Sequence, residues 1–527
     1  MKGAALENSR TKNSLLTMAS GVGQKIVSIL IGFLSRWVYV AYLGREFVGV
    51  NGLFSHVLTF LSLAELGVGS AITVYLYKPL AERDERTVRT YMHFYKRCYR
   101  VIGWAVLALG AALVPVLPRL VKFEGAPPVN LYLVYGLFLA NSVASYWFFA
   151  YKSSILSADQ KAYHVNNLGS AFSILASLAK CGVVVLFHSR PGAFELALAA
   201  ELGVGILKNI CIAHKADTLY PYIRAKTADP MPREILATMF RDVRALFINN
   251  LSFKLLSAVD TIVVSAALGT ALVGSTENYT MIINYVVMVI AMVTVSLAPS
   301  VGNLNHSEGQ ARRMEVFKQL DLANFWISCV SAACLYQLLT PFIQLFFRDK
   351  GGADLTLSGA VVACLVFRFY MGTVNNTLTT FKNAMGLLRQ GCYLALAGGV
   401  LNVFLTLWLA RRMGLVGVYL STVVSEVFTT FFAQGYYVFH DGFGLPWKGY
   451  VARMAGRMAL AAAVVLATHA VCALFAGPGL LNFILQCAVC AVLPNLVLLA
   501  LFARDPAFLG VLGRAKGIAG GLLAKRR

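Results

Sequence analysis

The sequence predicts an all-α polytopic membrane protein of about fourteen transmembrane helices. Two pseudo-symmetric six-helix lobes are followed by two further helices at the C-terminal end. Three observations predict this. The 527 residues are 58% hydrophobic and only 13% charged, whereas charged residues make up about 25% of an ordinary soluble domain. Apolar runs of about 18–25 residues recur along the whole length, each long enough to cross about 30 Å of hydrocarbon, and the short alternation that a membrane β-barrel requires is absent. A sequence echo then halves the chain: L-G-x-x-x-V-G occurs at Leu43–Gly49 and again at Leu268–Gly274. Both copies fall where the first helix of a six-span half leaves the membrane, as duplicated membrane halves require.

The runs place spans at 15–43, 50–77, 99–121, 130–151, 166–187, 191–213, 245–268, 278–300, 322–347, 356–381, 392–410, 415–439, 450–475 and 480–503. They divide the chain into an N-terminal lobe (1–213), a basic linker (214–244), a C-terminal lobe (245–440) and a last segment (441–527) of two helices and a basic tail. Met1–Ser14 reads as a short basic lead with no small-residue cleavage site after the first apolar run. The ten cysteines are scattered, mostly within spans. Cys487 and Cys490 form a C-x-x-C inside an apolar helix without further ligands, and read as small apolar side chains rather than a metal site.

The net charge of +22 is no nucleic-acid signal, because the basic residues cluster in alternate connecting loops. "KPLAERDERTVRTYMHFYKRCYR" carries seven, and so does the stretch from Lys208 to Arg244; "GTALVGSTE" and "AGPGLL" carry none. About 33 of the 46 lysines and arginines fall on one side and about 8 on the other, with Arg411 and Arg412 the awkward pair. Both termini and the linker are therefore expected in the cytoplasm of a multi-pass cell-membrane protein.

Charges also lie within spans: Lys25, Arg36, Lys180, Lys254 and Arg368, with Glu65, Glu201, Asp260 and Glu426. Each costs about 3 kcal/mol at a helix centre on insertion scales, so each should face protein or water. Lys25 and Arg36 stand about three turns apart on one helical face, about 16 Å along the axis. Polar stripes recur in span two (Ser55, Thr59, Ser62, Glu65, Gly69, Thr73), span seven (Asn250, Lys254, Ser257, Thr261, Ser265) and span ten (Arg368, Gly372, Asn376, Thr379). A hydrated cationic cavity satisfies all of them at once. The bland alternative is that small and polar residues pack the helices together, with Arg36 paired to Glu65.

Residues 35–84, "SRWVYVAYLGREFVGVNGLFSHVLTFLSLAELGVGSAITVYLYKPLAERD", resemble the opening of Wzx-type polysaccharide flippases. That superfamily also holds the lipid II flippases and the multidrug and toxin extruders. The first-span arginine, the L-G turn, "LAELGVGSAI" and the basic loop carry the likeness, with weaker likeness at 296–304 and 412–426. The resemblance implies a bacterial inner-membrane flippase of a polyprenyl-pyrophosphate-linked oligosaccharide, working by alternating access for cell-envelope polysaccharide biosynthesis. Arg36 matches the family's first-span arginine, while 278–300 lacks the arginine that lipid II flippases carry there. Lys25, Lys254, Arg368 and Lys180 are the other candidate substrate-binding cations. Glu65, Asp260, Glu201 and Glu426 are candidates for ion coupling or pairing. The implied partners are the lipid bilayer, the lipid-linked oligosaccharide, a sodium ion or proton, and glycosyltransferases or polymerases of the pathway.

No nucleotide-binding loop G-x-x-x-x-G-K-[ST] is present, and no cofactor or metal is expected, so the expectation is a secondary transporter, not an enzyme. An ion-coupled multidrug or organic-cation exporter shares the fold and would favour a cavity dominated by carboxylates. An envelope polysaccharide polymerase or ligase would need larger outer loops. The orientation is checked by single cysteines at Ser189 and Ser275 in a background otherwise free of cysteine. Both should react with an impermeant thiol reagent on intact cells; labelling at Ala228 instead reverses the topology.

Overall fold

The computed structural model describes residues 2–65, 68–123, 129–225, 229–307, 309–348, 354–387, 390–475, 477 and 479–513. Its helices follow the predicted spans. They are α1 (Lys2–Tyr42), α2 (Arg45–Leu61), α3 (Val68–Glu82), α4 (Glu85–Leu113), α5 (Leu131–Trp147), α6 (Ala162–Phe187), α7 (Ala193–Leu219) and α8 (Arg233–Val263). Then come α9 (Thr270–Ser307), α10 (Gln310–Phe346), α11 (Gly359–Val374), α12 (Asn376–Ala384), α13 (Cys392–Met413), α14 (Leu415–Ser425), α15 (Lys448–Cys472) and α16 (Leu480–Phe502). Among the described residues no strand occurs, as expected where hydrocarbon forces every backbone group to find its partner within one segment. Among the described residues, ten helices are long and apolar enough to cross a membrane by length and composition. Spans two and ten each divide into two helices: α2 ends in a 3-10 turn at Ser62–Glu65, and α11 passes into α12 at Asn375.

The echo is a shared backbone device. Gly44 (φ 95, ψ 176) and Gly269 (φ 108, ψ 150) both adopt a conformation essentially closed to other residues, immediately before α2 and α9 begin. They are 225 positions apart (269 − 44), and that shift carries α4 close to α10, α6 close to α13 and α7 close to α14. Neighbour relations repeat too. α4 packs on α5, α5 on α7 and α6 on α7; correspondingly α10 packs on α11, α11 on α14 and α13 on α14. The chain is therefore two like-ordered six-span halves, with α15 and α16 packed on α10.

Compactness divides the chain elsewhere, into Met1–Glu277 and Asn278–Arg527. The first unit takes in α8 and the start of α9, because α8 lies along α2 and α3. Within it the two echo copies meet reciprocally. A Cβ on Gly49 would collide with the Thr270 carbonyl oxygen, and a Cβ on Gly274 with the Arg45 carbonyl oxygen. Residue i touching j while the mate of i touches the mate of j is the mark of a two-fold relation. The start of α9 is further tied to the end of span three, where the Thr270 amide donates to the Lys122 carbonyl (2.8 Å) and Ser265 Oγ to that of Leu120 (2.7 Å).

In the second unit, Asn402 donates to Thr422 (2.9 Å) and Thr406 bonds Ser421 (2.6 Å), joining α13 to α14 through buried polar side chains. Arg457 of α15 reaches the buried Asp321 of α10 at 2.5 Å. Arg412 lies over the Trp408 ring (4.9 Å), which accommodates one member of the awkward arginine pair. In the first unit, Asp84 caps α4 by accepting from the Thr87 amide (3.0 Å), and hydrogen bonds from the Thr87 side chain and amide hold its carboxyl below the ordinary range. Arg86 ties the linker at Asp229 (2.5 Å), lowering that carboxyl in the same way; the pair is exposed and contributes little stability.

Ser275 is buried and Ser189 exposed, so Ser189 alone carries the labelling test, and Ala228 lies outside the described residues. The glycine contact makes its own prediction. Gly49→Ala and Gly274→Ala should each destabilise the purified protein by about 1–3 kcal/mol through overpacking against backbone. Gly136→Ala, in open space on α5, should be neutral or stabilising through helix propensity. Thermal melting in detergent orders the three; equal melting temperatures would remove the glycine contact as a constraint.

Candidate functional site

Arg36 lies on α1 two turns before the Gly44 turn, and that turn returns the chain as α2. His56 is on α2, and Glu277 lies two turns into α9. The reciprocal glycine contact brings α2 and α9 together here. Gly52 has no side chain, and Glu277 fills the notch: a Cβ on Gly52 would stand 2.7 Å from Glu277 Cγ. Glu277 Oε1 is 3.1 Å from His56 Nε2, and Oε2 is 4.0 Å from an Arg36 guanidinium nitrogen. Arg36 and Glu277 keep 15% and 18% of their side-chain surface, so both are largely shielded yet reachable. At 4.0 Å the guanidinium–carboxylate contact is an ion pair and not a hydrogen bond.

Glu65 occupies a different place. It sits on the 3-10 turn and accepts a short hydrogen bond from the Tyr99 hydroxyl. Tyr95 donates to Tyr99 (2.9 Å), and Ser154 donates to Tyr95 at 3.4 Å. The Tyr146 ring packs edge-on against Tyr99 at 5.6 Å. This is one carboxylate among aromatic rings, closed on one side by Gly69, where a Cβ would stand 2.9 Å from the Tyr95 hydroxyl.

Four of the remaining predicted charges fall into two pairs. Lys180 of α6 binds Glu201 of α7 at 2.7 Å and lies over the Tyr39 ring of α1 at 5.4 Å. Arg368 of α11 faces Glu426 at 3.4 Å, where α14 passes into a π-helical turn, Glu426–Phe431. Asp260 is buried, at 3% exposure, one turn before the π-helical segment Val264–Leu268. Lys25 is exposed on α1, turned from the face where Ser20 meets Asn166 of α6 (3.3 Å). The Lys254 side chain lies outside the described residues.

Several hydroxyls of the polar stripes close on their own helices. Ser55, Thr59 and Thr73 donate to the carbonyls of Asn51, Ser55 and Gly69, and Ser28 to that of Gln24. Such back-bonding satisfies a hydroxyl without water, so hydroxyl spacing alone does not mark a hydrated path. Glu277 and His56 are the residues that sequence reading missed. Glu277 fell in a nominal outer connection, but the 225-residue shift pairs it with Gly52 and could have exposed it.

No protein-family model matches the chain, and no curated protein matches it in sequence. Solved structures do match. A lipid II flippase, MurJ, in an inward closed conformation superposes with a TM-score of 0.65 at 15% identity, covering 93% of this chain and 99% of that one. An inward-facing multidrug resistance MATE family transporter of the MOP superfamily gives 0.56 at 14% identity, over 80% of this chain and 96% of that one. A MATE in complex with MaL6 gives 0.50 at 14% identity, over 81% and 95%. Residues 1–440 alone cannot supply 93% of the chain, so the first likeness extends into the last two helices. At such identities the likeness is one of fold: the chain is an all-α, multi-pass membrane protein with the fold of MOP-superfamily transporters.

Proposed function

We propose that the protein is a secondary transporter of the Wzx type, flipping a polyprenyl-pyrophosphate-linked oligosaccharide across the cytoplasmic membrane by alternating access. The observation that carries this reading is Arg36. A guanidinium of the first span stands beside the contact of α2 with the start of α9, opposed by the Glu277 carboxylate 4.0 Å away. A planar guanidinium donates two parallel bonds to phosphate oxygens, which suits a pyrophosphate better than any point charge. Arg36 then exchanges between two anions, Glu277 and the substrate. Protonation or cation binding at Glu277 and His56 would release Arg36 to the pyrophosphate, giving an ion gradient its purchase on the cycle. Lys25 and Lys254 serve lower positions on the path. The Lys180–Glu201 and Arg368–Glu426 pairs hold their helices together, with the halves 1–213 and 245–440 moving about the 214–244 linker and both termini in the cytoplasm. The fold likeness supports this reading as far as it goes: it covers more of the chain for the lipid II flippase than for the MATE transporters.

One observation favours a second reading. Glu65 among Tyr95, Tyr99 and Tyr146 is the chemistry that holds an organic cation, as an exporter requires.

Proteoliposomes loaded with a labelled polyprenyl-pyrophosphate saccharide separate these. Hydrogen bonds to charged groups are worth about 1.5–3 kcal/mol each, so Arg36→Ala should slow flipping about a hundredfold or more, with Arg36→Lys intermediate. If Arg36 merely neutralises Glu277, then Arg36→Ala combined with Glu277→Gln should fold and flip normally. Full transport with neither charge present would end the ligand role. Uptake of tetraphenylphosphonium that is lost in Glu65→Gln would favour the exporter.

A further inference from the structure

A cavity of about 710 Å³ lies inside the second unit, between α10, the start of α11, α15, and the start of α16. That volume falls within the range of small-molecule sites. Its polar lining is mostly carboxamide. Gln337 and Gln344 come from α10, His469 from α15 and Gln486 from α16, with the Tyr336 and Phe483 rings beside them. Arg348 is the one guanidinium among the described lining residues. His469 Nδ1 is hydrogen-bonded to Gln337 Oε1 at 2.9 Å, and Tyr336 packs edge-on against the imidazole at 5.5 Å. The floor is braced by Tyr279, whose hydroxyl bonds Thr340 (3.1 Å) and accepts from the Leu357 amide (3.0 Å).

Gln486 is the informative residue. It is 5% exposed and its amide nitrogen donates to the Phe475 carbonyl at 3.3 Å, yet its Oε1 is buried without a hydrogen-bond partner. Leaving a buried acceptor unmet costs about 1–3 kcal/mol. A leucine in its place would avoid that cost, so a ligand that donates to it gives the glutamine a reason to be there. We propose that this cavity binds a neutral, hydroxyl-rich ligand, a saccharide. Amides and an imidazole both donate to and accept from hydroxyls, and the tyrosine and phenylalanine rings offer flat apolar faces to the C–H side of a sugar. An anionic headgroup would call for a cluster of cations, and the described lining residues include a single arginine. The inference does not depend on what Arg36 binds.

The test uses the full-length protein in nanodiscs and ligand-observed saturation-transfer NMR. The neutral probes are N,N′-diacetylchitobiose and maltotriose; inorganic pyrophosphate is the anionic one. At least one neutral probe should bind, and Gln486→Leu should weaken it tenfold or more. Gln344→Leu, at an exposed position that does not endanger folding, should weaken it as well. Arg36→Ala should leave this binding unchanged, so failure here and failure of the flippase reading are separate results. Absence of saccharide binding, binding equal in both glutamine variants, or binding of pyrophosphate alone overturns the proposal. So does a Gln486→Leu protein that only melts higher and binds sugar as before, because the cavity would then be merely a water-filled packing defect.

Discussion

Two backbone carbonyls resting on two glycines set the geometry of the first unit. Thr270 presents its carbonyl oxygen to Gly49, and Arg45 presents its own to Gly274. No side chain fits at either point, so α2 and α9 approach as closely as helices can. Membrane helices gain little from burying apolar surface against one another, because lipid is equally apolar, and close backbone approach is their principal source of packing energy. The rest follows in sequence. With α2 held against α9, Gly52 faces Glu277, and Glu277 is delivered to His56 and Arg36. The intramembrane charge of the first span is thus answered through a contact made by residues that carry no charge.

That arrangement also explains how so basic a chain keeps cations inside its spans. An unpaired charge at a helix centre costs about 3 kcal/mol on insertion scales, whereas two opposite charges 4 Å apart attract by about 4 kcal/mol at an effective dielectric near 20. Arg36, Lys180 and Arg368 each have a carboxylate within 4.0 Å. The pairs differ in tightness. At 2.7 Å Lys180 and Glu201 form a direct, charge-assisted contact, while Arg36 Nη2 and Glu277 Oε2 stand 4.0 Å apart. Each such pair ties two helices together by charge, and the Arg36–Glu277 pair ties the first span to the start of α9.

Fold was more legible in the sequence than site, and the reason is physical. Span length is dictated by bilayer thickness and loop charge by insertion, so both leave long, redundant signals. The glycine echo was legible because only glycine tolerates the backbone of residues 44 and 269. The partner of Arg36 was not legible. Glu65, proposed from its position in the second span, is held by Tyr99, whereas Glu277 sat in a stretch read as a connection. Helical spacing states which residues share a face but not which face another helix covers. Hydroxyl stripes are ambiguous for a related reason, since Ser55, Thr59 and Thr73 are satisfied by their own backbones.

The repeat is close in backbone and broken in charge, and the two facts are connected. Under the 225-residue shift Lys25 corresponds to Asn250, Arg36 to Thr261, His56 to Met281 and Gly52 to Glu277. Near a two-fold axis, corresponding side chains compete for one space. A Cβ at position 52 would stand 2.7 Å from Glu277 Cγ, so only one of the two copies can carry a side chain there. The second half carries it, as a carboxylate. The single carboxylate there is met from the first half only, by the Arg36 guanidinium and by a hydrogen bond with the His56 imidazole. The reciprocal glycine contact thus fixes where α2 meets the start of α9, and the steric exclusion there makes the chemistry beside it asymmetric. A site built this way has one acidic wall and one basic wall. A duplicated pair of cations would instead have left like charges to face each other.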